Sequence, residues 1–287
     1  MPKKALLFLF FASVACLGDS LRSQPSPAPP SPTSSPSPLR QLVLVLAPSW
    51  DSSSAVAQRF EQDTRSREWK AVGEPFPVLL GKHGLAWGIG LHPPQPGLQK
   101  TEKDKRAPAG RFRIGILLSE DPSPPPGCRW PYYHQVTARD AWIDDPKLPF
   151  YNHLYTLPPG TKPPPWFRKE RMKLHDPAYH WLLLIEHNYP NSIPGKGSAI
   201  FFHIRRGPHR PTSGCTTMAK ERLNELLLWL DPAASPELVQ LPSEEYLRLW
   251  QAWDLPPPSL VLPALAQIVR APSKKESGSS TTSAWPP

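Results

Sequence analysis

Proline sets the first limit on what this chain can become. The sequence holds 42 prolines against 16 glycines in 287 residues, and a proline inside a helix removes a donor and clashes with the preceding turn. Architectures of long helices are thereby excluded, and with no Gly-X-Y period so is collagen. Disorder throughout is excluded as well, because 11 tryptophans, 10 phenylalanines and 7 tyrosines demand a core. Short strands, turns and loops are expected to dominate.

Both ends fall outside that core. Lys3 and Lys4 precede an apolar run from Ala5 to Ala15 that ends at Cys16, the layout of a secretory signal over residues 1–15. The run is about half the ~20 residues needed to span a bilayer. Ser13-Val14-Ala15-Cys16 reads either as a signal-peptidase site or as a relaxed lipobox with Cys16 as the lipidated residue. Residues 16–39, rich in Pro and Ser, form an extended spacer, and residues 271–287 read as a disordered tail. One domain over residues 40–242 remains, with a helical extension over 243–270. The expected location is the periplasm or cell envelope, either soluble after cleavage or, on the lipobox reading, in peripheral membrane association through a lipidated Cys16.

Within the body, Gln41 to Ala47 is a short run of Val and Leu and reads as a buried strand. Ser52 to Arg65 reads as a short helix. Phe76 to Leu80, Phe112 to Leu117, Tyr179 to Glu186, Ser198 to Ile204 and Glu237 to Leu241 read as strands between Gly and Pro clusters. Leu223, Leu226, Leu227 and Leu230 share one helical face, which predicts a helix from about Thr217 to Leu230 ended by Asp231-Pro232. A short helix follows from Ser243 to Trp253. The domain is therefore mainly β with a few short helices, and a monomer is expected.

A formal charge of +9 and a pI near 9.5 favour anionic partners. No Arg-rich helix, RNP pattern or Cys/His finger spacing accompanies that charge, so nucleic acid is not the expected partner. The chemistry concentrates in Ser198 to Met218. His203 stands near the end of a strand, and Cys215 follows a Gly/Pro loop at an expected helix start. A helix N-terminus there lowers a thiol pKa, a facing imidazole serves as base and proton donor, and the Gly214 and Cys215 N–H groups suit an oxyanion hole. Two rivals stay open on these residues alone: a buried structural cysteine, and zinc held by His203, His209 and Cys215.

Gly195-Lys196-Gly197-Ser198-Ala199-Ile200-Phe201-Phe202-His203, followed by Pro211-Thr212-Ser213-Gly214-Cys215-Thr216-Thr217-Met218, resembles the catalytic signature of the YkuD-type L,D-transpeptidases. Lys105 to Phe112, Trp142 to Pro146 with Tyr151-Asn152, and Glu186-His187-Asn188 resemble further elements of one branch, so the likeness runs from about Leu42 to Pro242. It implies a β-sandwich-like fold and a reaction on peptidoglycan stem peptides with no metal or other cofactor. In that reaction Cys215 is the nucleophile, His203 the base, and a thioester the intermediate. It also implies acylation by a carbapenem-type β-lactam. Better-studied members carry Ser/Thr-His-Gly-Cys, whereas Ser213 stands here at the His position. An L,D-carboxypeptidase or a non-catalytic wall-binding lipoprotein are the alternatives.

Other polar residues read more plainly. Arg206, Arg210 and Ser213 flank the site as candidates to hold a substrate carboxylate. Asp144 and Asp145 read as an Asx-type turn, Lys100 to Arg106 as a solvated loop, and Cys128 as a free thiol.

Overall fold

The computed structural model describes residues 39–263. The signal-like run, Cys16, most of the Pro/Ser stretch and the tail lie outside the described residues. The chain opens with β1 (Leu39–Ala47), β2 (Ser54–Asp63), β3 (Trp69–Leu79), β4 (Leu85–Trp87) and β5 (Ala107–Ser119). A loop-rich stretch follows, with β6 (Tyr133–Gln135), β7 (Asp140–Trp142), β8 (Leu154–Thr156) and helix α1 (Phe167–Glu170). Then come β9 (Leu182–Ile185), β10 (Phe201–Ile204), β11 (Thr216–Met218), α2 (Lys220–Trp229), β12 (Glu237–Pro242) and α3 (Ser243–Leu249). The fold is mainly β with a few short helices.

One large sheet runs β12-β1-β2-β3-β11-β10-β9-β5-β4, with β6 beside β5 and a further pairing of β12 with β5. That last pairing bends the sheet back on itself. β5 is long enough to give Gly110–Arg113 to β12 and Ile114–Leu118 to β9, with a register shift between Ile114 and Leu117 where it turns from one to the other. The main core gathers Phe60, Phe76, Phe112 and Phe202 from the strands, closed by Leu223, Leu226 and Leu227 of α2. β1 is buried continuously from Gln41 to Ala47, the pattern of a strand paired on both edges and covered on both faces.

Alternation carries the other residues of β9 and β10 to the outer face. Leu182, Leu184 and Phe201 build a second cluster there with Leu118, Trp142 and Met172, and Cys215 and Tyr179 pack against it. The two-stranded β7-β8 unit and α1 carry a third cluster of Ala141, Ile143, Leu157 and Phe167.

Two expectations fail. Ser52 to Arg65 is not helical: β2 pairs with β1 and β3 along most of its length. Its Gln58, Arg59 and Gln62 look like an exposed helical face in sequence, yet all three are buried and bonded. Gln58 Nε2 donates to the Gly73 carbonyl at 2.8 Å and Arg59 Nη1 to the Glu225 carbonyl at 3.1 Å. Two-sided pairing outweighs the few tenths of a kcal/mol per residue, in rough terms, of helical preference. The second failure is the helix start. Thr217 does not open the helix; it lies in β11 and pairs with His203 on one side and Leu79 on the other. The helix begins at Lys220 after an extended Ala219 that makes no side-chain cap. Its leucine face is as expected, with Leu223, Leu226, Leu227 and Leu230 fully buried.

Candidate active site

β10 and β11 run parallel, with Phe202 opposite Thr216 and His203 opposite Thr217. Side-chain alternation then sends Phe202 and Met218 to the core and leaves His203, Cys215 and Thr217 on the outer face. These three line one cleft of about 720 Å³. Arg210 and Ser213 line it too, and both are exposed; Arg210 makes no ion pair among the described residues. His209 is exposed and lies off the cleft lining, so the three-ligand zinc set is not brought together.

His203 is 5% exposed. Its Nδ1 faces the Ile204 carbonyl at 2.9 Å, and the Tyr179 ring stands edge-on to it at 5.2 Å. Tyr179 is held in turn by Arg206, whose guanidinium lies 4.8 Å from the ring centre. Both terminal nitrogens of Arg206 donate to Asp176, Nη1 to Oδ1 at 2.9 Å and Nη2 to Oδ2 at 2.5 Å. Arg206 is therefore not the free carboxylate binder expected from sequence: its fork is filled by Asp176, and it braces the wall behind the imidazole. Burial lowers the His203 pKa to about 4, so the ring is neutral at pH 7.

Cys215 sits in a turn made rigid by a residue outside the expected site set. Thr212 Oγ1 donates to the Cys215 carbonyl at 2.6 Å and accepts from the Gly214 N–H at 3.0 Å. The Thr-x-Gly-Cys spacing is the signal that marks it, since a hydroxyl reaching the N–H two residues on is a common turn device. The turn is glycine-dependent: Gly214 has φ +151°, and a Cβ there would stand 3.1 Å from the Arg106 carbonyl and from Ile200 Cδ1. Cys215 Sγ donates to the Ala199 carbonyl at 3.4 Å.

Ala199 is itself held in place by the elements around it. It has φ +55°, an unusual conformation for alanine, and its N–H donates to Asn152 Oδ1 at 2.9 Å. Asn152 Oδ1 also accepts from Trp142 Nε1 at 3.2 Å, and Asn152 Nδ2 donates to the His187 and Asn188 carbonyls at 3.1 and 2.8 Å. Asn188 ties the Ile193 and Gly197 carbonyls at 3.0 Å each. These buried bonds set the path of the loop that meets the sulfur.

The expected thiolate is not favoured at rest. No helix N-terminus faces Cys215, and burial pushes its thiol up to about 11 despite the Phe201 N–H and the Lys100 charge, which favour the anion. At rest the cleft holds a neutral thiol and a neutral imidazole. Cys128 is the other free cysteine among the described residues; its Sγ lies 3.4 Å from the Leu227 carbonyl, away from the cleft lining.

Charge in the cleft also departs from expectation. Asp145 does form the Asx-type turn, accepting from Lys147 N–H at 3.0 Å. Asp144 instead lines the cleft, and burial together with the neighbouring Glu170 raises its pKa to about 6. Lys100 to Arg106 is only partly a solvated loop: Lys100 is 4% exposed and pairs with Asp104 at 2.8 Å, because the folded chain closes over its first residue.

The match to known sequence families covers this whole arrangement. A model of the YkuD family, the L,D-transpeptidase catalytic domain, matches residues 56–239, well over half of the chain. The chain belongs to the YkuD family. No curated protein and no solved structure matches it significantly. The matched span takes in β10, β11, the cleft and the Asn152 and Asn188 loops of this YkuD domain, and the family acts on peptidoglycan peptides. Gly214, Cys215 and His203 thus fall inside the catalytic-domain match as well as inside one cleft.

Proposed function

We propose that this YkuD domain is an exported L,D-transpeptidase in which Cys215 is the nucleophile and His203 the base and proton donor. The observation that carries the reading is that the register of β10 and β11 brings both side chains to one face of one cleft. A cleft walled by Lys82, Lys103, Lys105 and Arg210 suits the carboxylates of a stem peptide.

The reaction starts from the neutral pair. As Cys215 Sγ attacks the carbonyl of the third, diaminopimelate-type residue, its proton passes to His203. The Gly214 and Cys215 N–H groups receive the oxyanion, Gly214 exchanging its bond to Thr212 for the new one. Collapse breaks the peptide bond, His203 returns the proton to the departing D-alanine amine, and a thioester remains. An amine from a neighbouring stem then attacks the thioester, forms the new amide and gives its proton, through His203, back to the sulfur.

Incubation with purified tetrapeptide muropeptides, followed by mass spectrometry, tests this. Cross-linked dimers are the expected product. Tripeptides without dimers would make the protein an L,D-carboxypeptidase, in which water takes the place of the amine, and an unchanged substrate would refute both.

Export and anchoring form a separate part of the proposal. The apolar run to Ala15, Cys16 and the Pro/Ser stretch suit a lipidated N-terminus on a stalk. Some 15 residues of polyproline-like chain at ~3.1 Å each reach about 45 Å. Cells fed a labelled fatty acid should yield labelled wild-type protein and unlabelled Cys16→Ala; label that persists in the variant would remove the anchor and leave a secreted enzyme.

A further inference from the structure

One buried charge beside the proposed nucleophile has no part in the mechanism above. The Lys100 side chain is 3% exposed, yet it lines the same cleft as Cys215. Its Nζ lies 3.6 Å from where a Cβ on Gly214 would stand, one residue from the sulfur-bearing position. The path to that point is open because Gly197 lacks a β-carbon: one there would come within 2.9 Å of Lys100 Cε. At the back, Nζ donates to Asp104 Oδ1 at 2.8 Å. Asp104 is fixed by the N–H groups of Thr101 and Arg106, both at 2.9 Å.

Burying a lysine is costly unless it is paired, and a pair that only tied down the 100–106 loop would do so at the surface with less penalty. Here the ammonium is paired on one side and faces the turn that bears Cys215 on the other. The other charged or titratable groups lining the cleft are His203 from β10, Arg206 just after it, Lys82 from the turn after β3, Glu102, Lys103 and Lys105 from the loop that carries Lys100, Arg210 from the β10–β11 loop, and Asp144. Of the lining cations, Lys100 is the one whose side chain is buried, and the half-buried Asp104 carboxylate holds it in a fixed place. It is also the charge that opposes the burial of the Cys215 thiol.

We propose that Lys100 supplies the fixed positive charge that stabilises the Cys215 thiolate as it forms, and the oxyanion that follows, in the place where a helix N-terminus was expected. The inference rests on Cys215 being the nucleophile. When the thiol proton moves to His203, the negative charge left on sulfur gains the ammonium as its neighbour. Asp104 holds that ammonium in position and tempers its field. Lys100 acts through Cys215 and is a positioning residue.

The test reads the thiol itself. Second-order rates of iodoacetamide alkylation of Cys215 are measured by peptide mass spectrometry from pH 7 to 10, with Cys128 in the same molecule as reference. An opposite charge within about 4–6 Å shifts a pKa by roughly 1–3 units, so Lys100→Met should slow Cys215 at each pH by about tenfold or more and leave Cys128 unchanged. Asp104→Asn keeps the lysine and removes the opposing charge, so it should speed Cys215 alkylation about two- to tenfold. Changes in opposite directions distinguish charge from altered access or packing. Equal rates in wild type and Lys100→Met, or slowing in both variants, would overturn the proposal. Should Lys100→Met fail to fold, Asp104→Asn decides together with its circular dichroism and Cys128 rate: faster Cys215 with both of those unchanged supports the charge effect, and an unchanged or slower Cys215 overturns the proposal. Alkylation requires no peptidoglycan. An inert protein on muropeptides with the expected rate changes would refute the enzyme reading alone, and an active one with unchanged rates would refute this inference alone.

Discussion

Cys215→Ala is expected to abolish both dimer and tripeptide formation from tetrapeptide muropeptides, and to remove the single adduct formed with a carbapenem-type β-lactam. Every covalent step of the proposed mechanism passes through that sulfur, so the loss is total. Intact-mass analysis makes the comparison directly, and an adduct of equal yield on Cys128 would remove Cys215 from its role. The pH dependence of the wild type carries a second signature. With the thiol near 11, only about 1 in 10⁴ molecules carries free thiolate at pH 7, and the share grows about tenfold per pH unit. A raised thiol pKa means that the neutral form is favoured below it, so direct alkylation by iodoacetamide should keep rising through pH 9 and 10. A plateau below pH 8 would mean that the thiolate is already stable at rest.

His203→Ala should lower acylation by about 10²- to 10⁴-fold, the usual loss on removing a general acid-base group. The fold should persist, because the imidazole contributes backbone bonds to Ile204 and Ala178 and a ring contact to Tyr179 rather than to the main core. The sign of its pH effect follows from burial. The folded His203 pKa is lowered to about 4, so the ring is a competent base above that value and becomes protonated and idle as pH falls through it. Acylation of the wild type should therefore hold steady through mildly acidic pH and fall off near pH 4. The residual rate of His203→Ala should lack that limb. Circular dichroism accompanies both measurements, and a variant that loses its fold while His209→Ala loses the activity would move the role to His209.

Much of this molecule was legible before its structure. The apolar run at β1, the leucine face of α2 and the alternation around β10 are local patterns, and local patterns survive into the fold because each element must bury its own apolar stripe. The density of proline ruled out long helices for an equally local reason. The residues around Cys215 and His203 singled out those two in sequence, and both line one cleft. Thr212 was within reach by the same route, since its bonds to Gly214 N and the Cys215 carbonyl span two and three residues.

Other features depended on partners far along the chain. β2 reads as helix until β1 and β3 bury its glutamines and arginine, and β11 reads as a helix start until β10 and β3 pair with it. That second difference changes the chemistry, because it replaces a helix dipole with a strand and turns the expected low-pKa thiol into a neutral one. Arg206 changes from free cation to brace through Asp176, 30 residues away in sequence. Lys100 changes from solvated charge to buried ammonium because Gly197 makes room for it more than 90 residues downstream. Sequence alone determined the mainly β class of the fold and the local structure of the elements that bury their own apolar faces. The tertiary structure decided which charges lose water, and desolvation together with the neighbours it leaves behind sets the protonation of the site.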